Sequence, residues 1–184
     1  MKKLIAIAFL LSCFTISQHP SLAQKKKPAP PASGIAGKTS GMKIFDGYFK
    51  YYYDEKSDKI MLEIDKLDQE FLYVNSLAAG IGSNDIGLDR NQLGSERVVK
   101  FVKVGPKVLL VQPNYSYRAI SDNDDERKSV EDAFAKSVLW GFTLVTEEDG
   151  KVLIDLSDFL MQDAHDVSGR LKSGKQGSYS VDKS

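Results

Sequence analysis

From residue 42 onward, apolar and polar positions alternate in short bursts, and the pattern predicts strands far more often than helices. Tyr48 to Tyr53 is rich in strand formers. Asp54 to Asp58 is a polar turn, and Lys59 to Ile64 returns, which makes a hairpin with a five-residue loop. A tight turn at Lys66 to Gln69 leads to a strand over Phe71 to Leu77, then a Gly-rich loop ending in Asp89-Arg90. Arg97 to Val104 and Val108 to Val111 form a second hairpin around Gly105-Pro106-Lys107. Gln112 to Ser121 reads as irregular or extended. Phe142 to Glu147 and Lys151 to Leu156 form a third hairpin with Glu148-Asp149-Gly150 at its tip.

The period changes in two places. Val130, Ala133, Phe134, Ser137 and Val138 share one face at helical spacing, with Trp140 closing the stripe and packing on the sheet. Asp124 is the expected cap, Asp125 and Glu126 suit the positive end of the helix, and Gly141 is the expected stop. Ser157 is expected to cap a second helix with Leu160, Ala164, Val167 and Leu171 on its face. Ser173 to Ser184 begins like a loop leading into another strand. The expected fold class is α+β: mainly antiparallel β-hairpins, with two amphipathic helices packed on one face. No internal repeat is present.

The first residues change the picture of where the chain works. Lys2 and Lys3 precede an apolar run, Leu4 to Ile16, too short to span a bilayer. Ser21-Leu22-Ala23 then offers a cleavage site before Gln24, so residues 1–23 read as a secretory signal peptide. The alternative is a lipoprotein box, Leu10-Leu11-Ser12-Cys13, with Cys13 acylated. Residues 24–41 follow as a Lys/Pro-rich linker, whose composition predicts disorder. The expected location is exported, periplasmic or secreted. No transmembrane segment is expected.

Charge and chemistry narrow the function. The chain has 25 basic and 25 acidic residues; removing Lys2 and Lys3 leaves 23 against 25, a net charge near −2. That balance argues against a nucleic-acid partner, which needs a basic face. Removing residues 1–23 also removes the one cysteine, so no disulfide framework is expected. His165 is then the only histidine. Zinc sites use several His or Cys ligands, and neither HExxH nor CxxC occurs. On a helix, Asp163 and His165 would point about 200° apart. Asp163 and Asp166 share a face but make a weak hard-cation site, and Asp166 with Arg170 reads as an i,i+4 ion pair. There is no GxSxG elbow for a serine hydrolase, and paired carboxylates are too abundant to single out a glycosidase dyad.

Gly80-Ile-Gly82-Ser-Asn-Asp-Ile-Gly87 follows a strand, as a nucleotide loop would. The third glycine of GxGxxG would fall at Asp85, and no GK[ST] follows. Nucleotide binding is therefore not expected. Asn84, Asp85, Asp89 and Arg90 are instead candidates for an interdomain or substrate contact, together with His165. Tyr48 to Tyr53 suggests a face for a sugar or peptide, or half-buried sheet aromatics.

Leu62 to Arg90, Val98-Val-Lys-Phe101, Gly105 to Asn114, Ser137-Val-Leu-Trp-Gly-Phe142 and Asp158 to His165 are together similar to a known family. They resemble the N-terminal domain, catalogued as one of unknown function, of large exported bacterial zinc-dependent metalloproteases. The resemblance covers residues 42–184. It implies zinc and a metzincin-like HExxH segment downstream in the parent protein, and no position here matches that motif. The chain is thus expected to be a non-catalytic N-terminal accessory domain, incomplete at its C-terminal end, with no cofactor of its own. Its expected partners are the catalytic metalloprotease domain and a peptide substrate. The alternative is a stand-alone exported module that binds a peptide or glycan through Tyr48 to Tyr53 and the loop from Asn84 to Arg90.

Overall fold

A computed structural model describes residues 33–81 and 84–182. The expected signal segment with Cys13, and the linker up to residue 32, lie outside the described residues. Eight strands form one antiparallel sheet: β1 (Lys43–Phe45), β2 (Lys50–Asp54), β3 (Lys59–Ile64), β4 (Glu70–Tyr73), β5 (Arg97–Val104), β6 (Lys107–Gln112), β7 (Ser137–Glu148) and β8 (Lys151–Asp155). Their order across the sheet is β1-β2-β3-β8-β7-β6-β5-β4. The architecture is α+β but dominated by the sheet.

The connection from β3 to β4 dictates a curled shape. These strands are third and last in the order, five inter-strand spacings apart, or about 24 Å across a flat sheet. The six peptide steps from Ile64 to Glu70 span at most about 21 Å. The sheet must therefore bend into a half-barrel. Register shifts at Leu110/Val111 and Leu144/Thr146 supply the extra twist. Asp68, at φ 59°, donates its N–H to the carbonyl of Phe101 at 2.8 Å and anchors the crossing.

The alternation of residues sorts the two faces. Leu62, Ile64, Val99, Phe101, Val108, Leu110, Phe142, Val152 and Ile154 fill the concave side. Phe49, from the β1–β2 connection, meets Phe71 at 5.2 Å and Phe101 at 5.5 Å edge to face. It brings the first part of the sheet against the last, an arrangement worth about 1 kcal/mol per aromatic pair beyond area burial. On the convex side, Ile35, Tyr52 and Leu153 form a smaller cluster.

The three expected hairpins are present as β2–β3, β5–β6 and β7–β8. In the last, Asp149 (φ 50°) and Gly150 (φ 76°) give the positive-φ pair that matches strand twist. The strand expected to run to Leu77 ends at Tyr73, although Ser76 bridges to Leu93.

The helices depart from expectation. α1 (Gly34–Lys38) lies inside the expected linker, and Ile35 buries there against the convex face. The Ile35 N–H donates to the Glu148 carboxylate at 3.0 Å, and a side chain at Gly34 (φ 72°) would collide with that carboxylate. α2 (Asp124–Ala133) is capped by Asn123, not Asp124, and none of its residues is buried. It stops at Phe134, so Ser137 to Trp140 belong to β7, and Gly141, the expected stop, sits mid-strand opposite Leu109. The run from Val138 to Val145 is dense in β-branched and aromatic residues, which pack better on a pleated surface than on a helix.

The second expected helix is two pieces, α3 (Ser157–Leu160) and α4 (Val167–Ser173). The break lies at Asp166, at φ 54°. The hydroxyl of Ser157 accepts from the Ile60 N–H at 3.0 Å and caps no helix. The two expected amphipathic helices therefore do not form a layer on one face. Gly174 to Asp182 adds no strand. Among the described residues, no helix is long and apolar enough to cross a membrane.

Candidate functional site

The Gly-rich loop is held as a unit by its own backbone. The Leu77 N–H donates to the Gln92 carbonyl at 2.9 Å, the Leu77 carbonyl accepts from the Asn91 N–H at 2.7 Å, and the Ile81 N–H donates to the Leu88 carbonyl at 3.2 Å. Leu88 is fully buried beneath it. A Cβ at Gly80 would come within 2.7 Å of the Arg90 nitrogen, so the two arms of the loop touch only because residue 80 is glycine. Asn84, Asp85 and Ile86 form a single 3-10 turn; the Asn84 side chain lies outside the described part. Asp85, Asp89 and Arg90 are exposed, and among the described residues their side chains make no hydrogen bond or ion pair. Asp89 and Arg90 line a shallow depression with Ala78, Ala79 and Gly80.

His165 lies in a different place, on the chain between α3 and α4. That chain forms one wall of a groove of about 440 Å³, with Tyr73 to Leu77 as the other wall. Asn75 donates its side-chain amide to the Ala164 carbonyl at 3.1 Å and ties the walls together. The rings of Tyr73 and Phe159 lie 5.9 Å apart at the groove base. The His165 imidazole is half-buried. Its Nε2 is shut off from solvent and has no hydrogen-bond partner among the described residues.

Asp163 has a local task. Its two carboxylate oxygens accept the Val167 and Ser168 N–H groups, each at 2.8 Å. Burial alone would raise its pKa; those two N–H donors outweigh it and hold the carboxyl below the ordinary range. The carboxylate caps α4, so it is not poised as a ligand. The expected Asp166–Arg170 pair does not form. Arg170 instead donates Nη1 to the Gly87 carbonyl at 2.7 Å and binds α4 to the Gly-rich loop. Among the described residues, no group of three or more His, Cys, Asp or Glu is placed to hold a metal.

The structure thus joins the two candidate regions through Arg170 and Gly87 but keeps Asp89 and Arg90 out of the His165 groove. Asn75 was invisible as a functional residue in the sequence. Its partner is 89 positions away, and no local pattern marks it. Within Tyr48 to Tyr53, Tyr48 stays 53% exposed, while the other tyrosines are partly engaged within the sheet. Tyr51 stacks on Phe45 at 4.8 Å, and the Tyr53 hydroxyl bonds Asp58 at 2.9 Å. Tyr52 is buried, and its hydroxyl donates to Glu63 at 2.5 Å. Lys151 completes that network with an ammonium 3.0 Å from the same carboxylate. Burial and the Glu63 hydrogen bond push the Tyr52 hydroxyl up to about 12. Glu63 is lowered: burial opposes ionisation, but the Tyr52 and Lys151 donors prevail.

No curated protein and no solved structure shows a significant match to the chain. Two families do match. Residues 38–80 match the domain of unknown function DUF5118, and residues 91–184 match the domain of unknown function DUF5117. The first match carries β1 to β4 and the second carries β5 to β8, so both describe parts of one sheet. With slightly more than half of its length in the second match, the chain belongs to the DUF5117 family.

Proposed function

We propose that this chain is a non-catalytic N-terminal domain of an exported zinc-dependent metalloprotease and that it supports the catalytic domain or its substrate cleft. The zinc belongs to the catalytic partner, and the site of action is periplasmic or extracellular. The observation that carries the reading is the Gly-rich loop. It presents Asp85, Asp89 and Arg90 outward, their side chains making no hydrogen bond or ion pair among the described residues, while Arg170 and the buried Leu88 brace it from behind. A polar surface held in shape before contact loses little entropy on docking. The resemblance of residues 62–90 to those proteases supports the same assignment, and the braced loop lies within that run.

The test is complex formation. The full chain is mixed with an HExxH-bearing catalytic domain of such a protease and followed by size-exclusion chromatography. A 1:1 complex is expected, weakened by D89K together with R90E. The chain alone is expected to carry no stoichiometric zinc and to cleave no peptide. Chelator-sensitive peptide hydrolysis by the chain alone, or no complex, would overturn the assignment.

A further inference from the structure

We infer that the groove beside His165 takes a polypeptide in extended conformation, which adds as a further strand to the open edge of β4. Among the described residues β4 is the last strand of the sheet and pairs only with β5, so half of its backbone N–H and C=O groups face away from any partner strand there. Edge strands are commonly blunted by Pro, Lys or a bulge. This edge is short and carries one charge, at Glu70, but Glu70-Phe-Leu-Tyr-Val-Asn75 has no Pro, Lys or bulge, and Leu72 and Val74 are 64% and 37% exposed. This stretch runs directly into the groove, where Tyr73 to Leu77 form one wall.

The second observation is polar. A buried nitrogen without a partner is costly, and a ligand that satisfies it recovers that cost. An imidazole nitrogen either donates or accepts, according to tautomer. A peptide backbone offers both a carbonyl and an N–H at every residue. It also offers alternating side chains that match the exposed Leu72, Val74 and Leu160. A glycan would need an open aromatic platform, but Tyr73 and Phe159 are half-buried against one another. Charge narrows the class further. Asp163 is the one carboxylate lining the groove and no Lys or Arg lines it, which favours neutral or basic peptides over acidic ones. The inference needs only the groove, and it stands whether or not the domain docks on a protease.

The full chain is titrated against a fluorescein-labelled, capped hexapeptide of alternating valine and threonine with one lysine, read by anisotropy. Saturable binding is expected. A version N-methylated at alternate residues should bind at least about tenfold more weakly, because the added methyl groups block strand pairing. Replacing the lysine by glutamate should weaken binding several-fold. His165→Ala should cost about fivefold, the loss of one hydrogen bond. Amide resonances of residues 70–75 and the His165 ring of the unaltered chain should shift on titration, a readout that needs no variant. The inference is overturned by no saturation up to millimolar peptide, by equal binding of the N-methylated peptide, or by shifts confined to residues 85–90. It is also overturned if a soluble oligosaccharide, and not the peptide, moves the groove resonances. None of these outcomes bears on complex formation with a catalytic domain, which is measured separately.

Discussion

Arg170 reaches back 83 positions to donate Nη1 to the carbonyl of Gly87 at 2.7 Å. The bond joins α4 to a loop that has no other side-chain brace from the C-terminal segment among the described residues. A Cβ added at Gly174 would meet the Ile86 side chain at 3.5 Å, so the end of α4 lies close beside the loop.

Replacing Arg170 by Met keeps the aliphatic stem and removes the donor. The expected loss is about 1 kcal/mol of stability. Hydrogen exchange should quicken in residues 78–90 and leave β6 to β8 unchanged. Uniform acceleration over the whole sheet would show that the brace is not local.

The Tyr52–Glu63–Lys151 network sets two pH limits. Tyr52 ionises near 10 when unfolded and at about 12 when folded, so its contribution is intact below pH 10 and is lost as pH rises towards 12. Glu63 is lowered from 4.5, so its contribution is present above that value and is lost as pH falls through the folded pKa. Tyr52→Phe should flatten the alkaline limb of a plot of melting temperature against pH. It should also cost about 2 kcal/mol at neutral pH, the range for a hydrogen bond to a charged group.

Gly34 holds a left-handed φ of 72° beside the Glu148 carboxylate. Gly34→Ala should cost more than about 1 kcal/mol and detach α1 first. Limited proteolysis within residues 33–42 would reveal this. A cut rate equal to that of the parent chain would show that α1 tolerates the side chain.

Phe101 touches Phe49, Phe71 and Phe142 at the centre of the half-barrel. Phe101→Ala should destabilise by about 3–5 kcal/mol, measured by urea unfolding. Trp140, 5.6 Å from Phe159, gives the fluorescence signal.

The boundary between the two family matches supplies a further test. β3 pairs with β8 and β4 with β5 across it. Residues 33–88 and 89–184 produced separately should each lack cooperative unfolding by circular dichroism, and mixing them should restore it. A stable fold of either piece alone would show that the matched segments are independent units.

The hairpins were legible because turn chemistry and two-residue alternation are local. Asp149-Gly150 and Gly105-Pro106 announce themselves without help from the rest of the chain. The closing of the sheet was not legible, because it depends on Met61 lying opposite Asp155. Ser137 to Phe142 misled for a related reason. Its apolar spacing fits a helix face as well as a strand, and the match to β6 decided between them. Ile35 was hidden inside a stretch whose composition reads as linker, since one buried residue leaves no period. At the candidate site, Asp85, Asp89, Arg90 and His165 could be nominated by residue type. Their division into two places, and the roles of Asn75 and Arg170, rest on contacts more than 80 positions apart.

The five-residue crossing between β3 and β4 has a kinetic consequence. A chain emerging from its N-terminus completes β3 long before residues 152–155 exist to pair with it. Until then Leu62 and Ile64 lie on an unfinished edge, apolar and open to wrong pairings. Pairing at such sequence distance makes for slow folding. The interval before β8 arrives is the period in which this chain most needs shelter by a holding chaperone.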